Sequence, residues 1–481
     1  MKTFALILLP LICSARPPSD EIDALIDSAR GAPGEFAADA MIRIAGTDKI
    51  ARARKIELLE QAFQRASDAQ EPYPRHALGL RQDGSAPYWN RLYKQELDAL
   101  SLRLRAVETM LPLDGRKARE MFEQIPRLDF PRVKCQEFMV YDAGRFYDVL
   151  GSLAGQDPEP ATLLEKYAGT ATSPVQLAPM ARVLAAAHVS ESDFQRLVAA
   201  FASAMGKVSG DDRSFVSSVS VGREIQALAE ESKRRHITPL LLLEAYRLYL
   251  VVNFSASRCA DDDQLQSGQQ SFGVFSGQPA EMVAANFIAF FNDKLRMAPL
   301  APIREEEATP AHIEGVAANP HFCEDQACKA FLEQFRGLVF GANGVPIPPA
   351  ERNTPEWQEK LKARLAALSQ WKEGGSAGPA GYFREKSAAY GELLNLAQNG
   401  PNQELVMRSL LDFVKQNPYQ KVNRDEWFLP VNALIGRVGL DPVGLSRFAE
   451  DLRRVDNPLI ALYARLETVA PRAADRILAL L

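Results

Sequence analysis

The chain has 481 residues, 47% of them hydrophobic and 24% charged, the balance of a soluble globular protein with ample core. Sixty-one acidic side chains against 56 basic ones give a formal charge of −5. Such a surface repels phosphate backbones, which excludes nucleic acid as a general electrostatic partner.

The first residues follow the plan of a secretory signal peptide. Met1-Lys2-Thr3 carries one positive charge, Phe4 to Ile12 is apolar apart from Pro10, and the small residues Cys13-Ser14-Ala15 precede Arg16. The run is too short to span a bilayer, so the expectation is cleavage after Ala15 and export to the periplasm or the extracellular space. Lipidation of Cys13 would need a small residue before it, and Ile12 is bulky.

From there the apolar spacing is helical. Phe36, Ala40 and Ile44 line one helix, which Gly46 is expected to end in the left-handed conformation. Asp48 is expected to cap the next, with Ile56, Leu59, Phe63 and Ala66 inward. Tyr93, Leu97, Leu100, Leu104, Val107 and Leu111 alternate steps of four and three until Pro112. Asp114 then starts a helix with Ala118, Met121, Phe122 and Ile125 inward. Each pair reads as an αα-hairpin.

A capping residue followed by proline recurs at Asp157-Pro158, Ser173-Pro174, Thr238-Pro239, Thr309-Pro310, Asn319-Pro320, Thr354-Pro355, Asp441-Pro442 and Asn457-Pro458. These pairs mark helix starts, where a side-chain oxygen takes an orphan N–H and proline loses nothing. The basic run Lys233-Arg234-Arg235-His236 falls at a predicted helix end, where cations favour the macrodipole. Pro239 to Phe254 is the most apolar segment beyond the leader and reads as a buried central helix, too short for a membrane span. Within it Glu244 is the weak candidate for an acid raised by desolvation, with Arg247 three residues on as its intrahelical partner.

The polar loop 255–279 holds Cys259 and the run Asp261-Asp262-Asp263. That run offers oxygen ligands for calcium, but without the spacing and glycine of an EF-hand it reads as a solvated loop. A helix over Phe287 to Leu295 precedes a boundary near Pro299. The organisation expected is thus 1–15 signal peptide, 16–298 N-terminal helical hairpins and 299–481 C-terminal helices. Beyond the boundary, His321, Cys323 and Cys328, with His312 upstream, supply nitrogen and sulfur donors for zinc. Their spacing matches no standard module, and an oxidising compartment favours disulfides. Removal of Cys13 leaves four cysteines and three connectivities. A local Cys323–Cys328 bridge requires a helix that starts after Cys323, and it would leave Cys135 to pair with Cys259.

Polar stretches recur at Gly341 to Arg352 and Lys372 to Gly381. Further on, Asn423 with Glu426 forms a capping-box pattern and Pro430 predicts a kink. Leu445, Phe448 and Leu452 line one helix, and Leu459, Leu462, Leu466 and Val469 another. No run alternates as a strand does, and no fixed repeat period emerges. The fold class expected is all-α, tandem helical hairpins stacked as an irregular, solenoid-like α-superhelix without significant sheet.

No G-x-S-x-G, H-E-x-x-H, phosphate-loop or C-x-x-C signature is present, and five histidines leave general-base chemistry to carboxylates. No cofactor is implied. The function expected is an exported interaction or scaffold protein for a protein or peptide partner, without nucleic acid and without a membrane span in the mature chain. The alternative is a carboxylate-dependent all-α enzyme acting on an envelope or extracellular polymer.

Overall fold

The computed structural model describes residues 18–77, 95–135, 139–208, 210–215, 221–256, 258–259, 302–304, 312–314, 337–341, 344–373, 378–397, 401–417 and 457–470, with a few single positions between them. Of these, 69% are helical and 4% lie in strands, twice the usual share of helix, so the fold is all-α.

Three helices open the chain: α1 Pro18–Arg30, α2 Gly34–Ala45 and α3 Arg52–Arg65. α2 packs against both others, and its face of Phe36, Ala37, Ala40, Met41 and Ile44 is buried. Two expected stops differ. Gly46 ends α2 in the right-handed region, at φ −70°, and Asp48 does not cap α3, which starts after Ala51 without a side-chain cap. The turn closes through Gly46 N–H to the Ile42 carbonyl, so no left-handed residue is needed.

α4 Ala99–Met110 starts where the Asp98 carboxylate accepts from Ser101 N–H at 2.8 Å, and Asp114 does the same for Lys117 N–H at 3.0 Å to open α5 Gly115–Glu123. α4 packs on α3 and α5, continuing the hairpin rhythm. Then come α6 Gly144–Ala154, α7 Pro160–Ala168, α8 Leu177–Ala185, α9 Glu191–Met205, α10 Val221–Arg234 and α11 Leu240–Phe254. Here the pairing changes: α6 packs on α8 and α8 on α10, while α7 packs on α9 and α9 on α11. Alternate helices therefore form two layers.

α11 corrects an expectation. Leu242, Leu243, Tyr246, Tyr249 and Leu250 are buried, but Leu240, Leu241, Leu248 and Val252 are exposed. It is a one-sided helix, because α9 and α10 cover only one face. α2 is enclosed all round, buried at every position but Arg43, and so is the middle of α13, in the group α12 Pro355–Gln370, α13 Gly378–Leu396 and α14 Pro401–Gln416. There every residue from Glu385 to Tyr390 is buried.

Two strand pairs are too short to leave an alternating pattern. β1 Arg75–Ala77 runs antiparallel to β2 Met139–Tyr141, and β3 Arg258–Cys259 parallel to β4 Ile313–Glu314. The last described helix, α15 Pro458–Val469, is capped by Asn457 and seats on α1 and α2. Tyr463 donates to Asp39 at 2.9 Å, and Arg43 pairs with Glu467 at 2.9 Å and donates to the Ala470 carbonyl at 2.7 Å. An open solenoid would leave its ends apart; here the last described helix packs on the first two. The boundary near Pro299, the Phe287 to Leu295 helix and the 423–452 helices lie outside the described residues.

Candidate functional site

The two-layer region encloses a cleft of about 460 Å³ between α6, α7 and the end of α8, within the range of small-molecule sites. Local chemistry sets each wall. α6 presents Asp148, Gly151 and Ser152 to the cleft. Gly151 faces the Val183 side chain of α8, which a β-carbon there would meet at 3.5 Å, an ordinary contact. α7 starts at Pro160 after Asp157, whose Oδ1 accepts from Glu159 N–H at 2.9 Å. α8 follows a turn in which Gln176 Oε1 accepts from Ser173 N–H at 2.9 Å, while Gln176 Nε2 donates to the Tyr147 hydroxyl at 3.2 Å. That bond ties the start of α8 to α6. It also anchors a buried phenol whose pKa desolvation raises above its ordinary range.

The far wall is the end of α8 and the residues after it. Arg235 donates to the Ala187 carbonyl at 2.8 Å and the Val189 carbonyl at 3.0 Å. These bonds occupy two main-chain carbonyls beyond the helix end and hold the stretch that carries His188. Leu164, Val183 and Ala187 make the apolar floor.

The charges divide into spent and unspent. Asp157 is 3% exposed and paired with Arg119, which also holds Glu123 at 3.1 Å. Asp148, Arg182 and His188 are exposed and line the same cleft. Among the described residues none of their side chains has a hydrogen bond or an ion pair. The Ser152 hydroxyl donates to the Asp148 main-chain carbonyl at 2.9 Å, not to His188. The cleft therefore contains no nucleophile hydrogen-bonded to a base. What it offers is a carboxylate, a guanidinium and an imidazole around a shallow apolar floor.

The residues singled out by sequence lie elsewhere. Glu244 is exposed, not desolvated. Arg247 does not pair with it; its guanidinium reaches Glu307 at 2.9 Å. Glu307 accepts from Arg304 N–H as well as from Arg247, and these bonds hold its carboxyl down to about 2. Arg247 thus staples α11 to the returning chain near Pro302, whose carbonyl it contacts at 3.4 Å. Cys135 and Cys259 form a disulfide with Cα atoms 5.4 Å apart. Arg213 holds the Cys135 carbonyl at 2.6 Å, and β3 carries Cys259. The His312 carbonyl accepts from Arg258 N–H at 2.9 Å. His321, Cys323, Cys328 and Asp261 to Asp263 lie outside the described residues. Among the described residues no cluster of His, Cys, Asp or Glu suits a metal ion, and no helix is long and apolar enough to cross a membrane.

Asp148, Arg182 and His188 belong to no motif, and sequence reasoning missed them. The available signal was compositional: the small residues Gly151, Ser152, Ala154 and Gly155, and Ala185 to Ala187, where two helices end. Comparison with family models, curated proteins and solved structures found no match for this chain.

Proposed function

We propose that the chain is an exported all-α interaction protein that holds part of a peptide or protein partner in the α6–α8 cleft. The observation that carries this reading is the set of three unspent charged or polar groups, Asp148, Arg182 and His188, around one concave apolar floor. Recognition sites leave such groups available for a ligand. Export is supported by the leader-like first fifteen residues and by the Cys135–Cys259 disulfide, which suits an oxidising compartment.

Ala186 is exposed on the cleft wall at the end of α8, and a bulky side chain there fills the space without entering the core. A display library of random short peptides should be enriched by the wild type, and Ala186→Trp should lose that enrichment while melting at the same temperature. Equal enrichment by both proteins would overturn the cleft as the binding surface. Hydrolysis of an envelope polymer by the wild type would favour the enzyme alternative. Intact mass of the protein from its native host should show a chain that begins at Arg16; a retained Met1 would defeat the export reading.

A further inference from the structure

The ligand chemistry of the cleft is legible from which charges nearby are paired. On the adjoining surface several opposite charges meet. Arg119 holds Glu123 and Asp157, Lys166 reaches Glu123 at 2.9 Å, and Arg196 reaches Glu165 at 3.2 Å and Asp193 at 2.9 Å. Asp148 and Arg182 stand apart from these pairs. They carry opposite charges, project from different helices into one cleft, and have no partner among the described residues, each other included.

We infer that the cleft takes a short peptide with free termini, its ammonium group against Asp148 and its carboxylate against Arg182. The inference rests on the cleft being the binding surface, as proposed above. A zwitterion satisfies both unspent charges at once, whereas a purely cationic or anionic ligand leaves one of them facing a like charge or none. The size agrees: about 460 Å³ accommodates roughly two to four residues, which span about 3.3 Å each when extended. The floor of Leu164, Val183 and Ala187, bordered by Gly151 and Ala186, is apolar. Alanine-like residues suit such a floor between two charged termini.

The test uses the full-length protein and three probes: tri-alanine with free termini, N-acetyl-tri-alanine and tri-alanine amide, titrated calorimetrically. Wild type should bind the free peptide more tightly than either blocked form, by about threefold to tenfold for each charge removed. Asp148→Asn should erase the preference for the free amine and keep the preference for the free carboxylate. Arg182→Gln should do the reverse, and Asp148→Glu should restore the first preference in part. Circular dichroism and melting temperature confirm that each variant is folded. Equal binding of all three probes, or variants that weaken all three alike, would overturn the inference. If no probe binds while the peptide library still distinguishes wild type from Ala186→Trp, the terminus reading fails and the cleft reading stands. If the library fails as well, both fail.

Discussion

Asp98 shows how a single buried side chain sets a dependence on pH. It is 5% exposed, and its carboxylate must cap α4 away from water. Desolvation outweighs the bond from Ser101 and raises its pKa to about 7. The unfolded value is near 3.9, so the folded state holds the proton more tightly. The protein therefore loses stability as pH rises from about 4 to 7, and the full cost is present above 7. Asn keeps an acceptor for Ser101 N–H without a charge. Asp98→Asn should raise stability at pH 8 by on the order of 2 kcal/mol and change it little at pH 4; urea melts at the two values would show this, and equal effects at both would refute it. Glu244 behaves differently. It is exposed and Arg247 is engaged with Glu307, so Glu244→Gln should shift stability by no more than about 0.5 kcal/mol and leave peptide binding intact.

At the scale of elements, the disulfide has the largest expected effect. Cys135 and Cys259 are 124 residues apart in sequence, and the loop they close contains α6 to α11 and the whole cleft. In the chain-entropy model such a constraint stabilises by about 3 to 5 kcal/mol. The double variant Cys135→Ala, Cys259→Ala should unfold at a correspondingly lower urea concentration, and non-reducing peptide mapping of the wild type should recover the bridged pair. Two free thiols at these positions would contradict the structure. The contrast between α11 and α13 belongs here too. α11 is the more apolar helix yet leaves Leu241 and Leu248 about half exposed, at 56% and 51%. α13 encloses Lys386, which donates to the Trp371 carbonyl at 2.7 Å and faces the Phe413 ring at 4.8 Å. Those contacts let a charged residue occupy an interior position, and burial lowers its pKa to about 8.

For the whole molecule, the seating of α15 on α1 and α2 matters most. Arg43 and Glu467 form a buried pair, their side chains 7% and 1% exposed. Removing one partner leaves the other charge without its counterion in the interior, at a cost of about 3 to 5 kcal/mol. Glu467→Ala should therefore lower the melting temperature markedly. Glu404→Ala, which removes a wholly exposed pair with Arg408, should cost about 0.5 kcal/mol. Similar losses for both would show that α15 does not depend on this contact.

The helical class, several of the described helix starts and the pairing of early hairpins were legible in the chain itself. They follow from local causes: an apolar stripe of period 3.6, a capping oxygen at Asp114, Thr354 or Asn457, and a proline where no N–H is needed. These interactions act within one or two helical turns, so neighbouring residues suffice to specify them. Which helix is enclosed, which charges pair and where the cleft opens were decided by tertiary structure. The apolarity of α11 predicted enclosure, but enclosure depends on how many elements cover a helix. Glu244 and Arg247 looked like partners at a spacing of three, yet Glu307, sixty residues on, takes the arginine. The cleft groups Asp148, Arg182 and His188 come together because α6 packs on α8 and Arg235 fastens the residues after it. Each of these depends on side chains far apart in sequence, and only the folded chain brings them within reach.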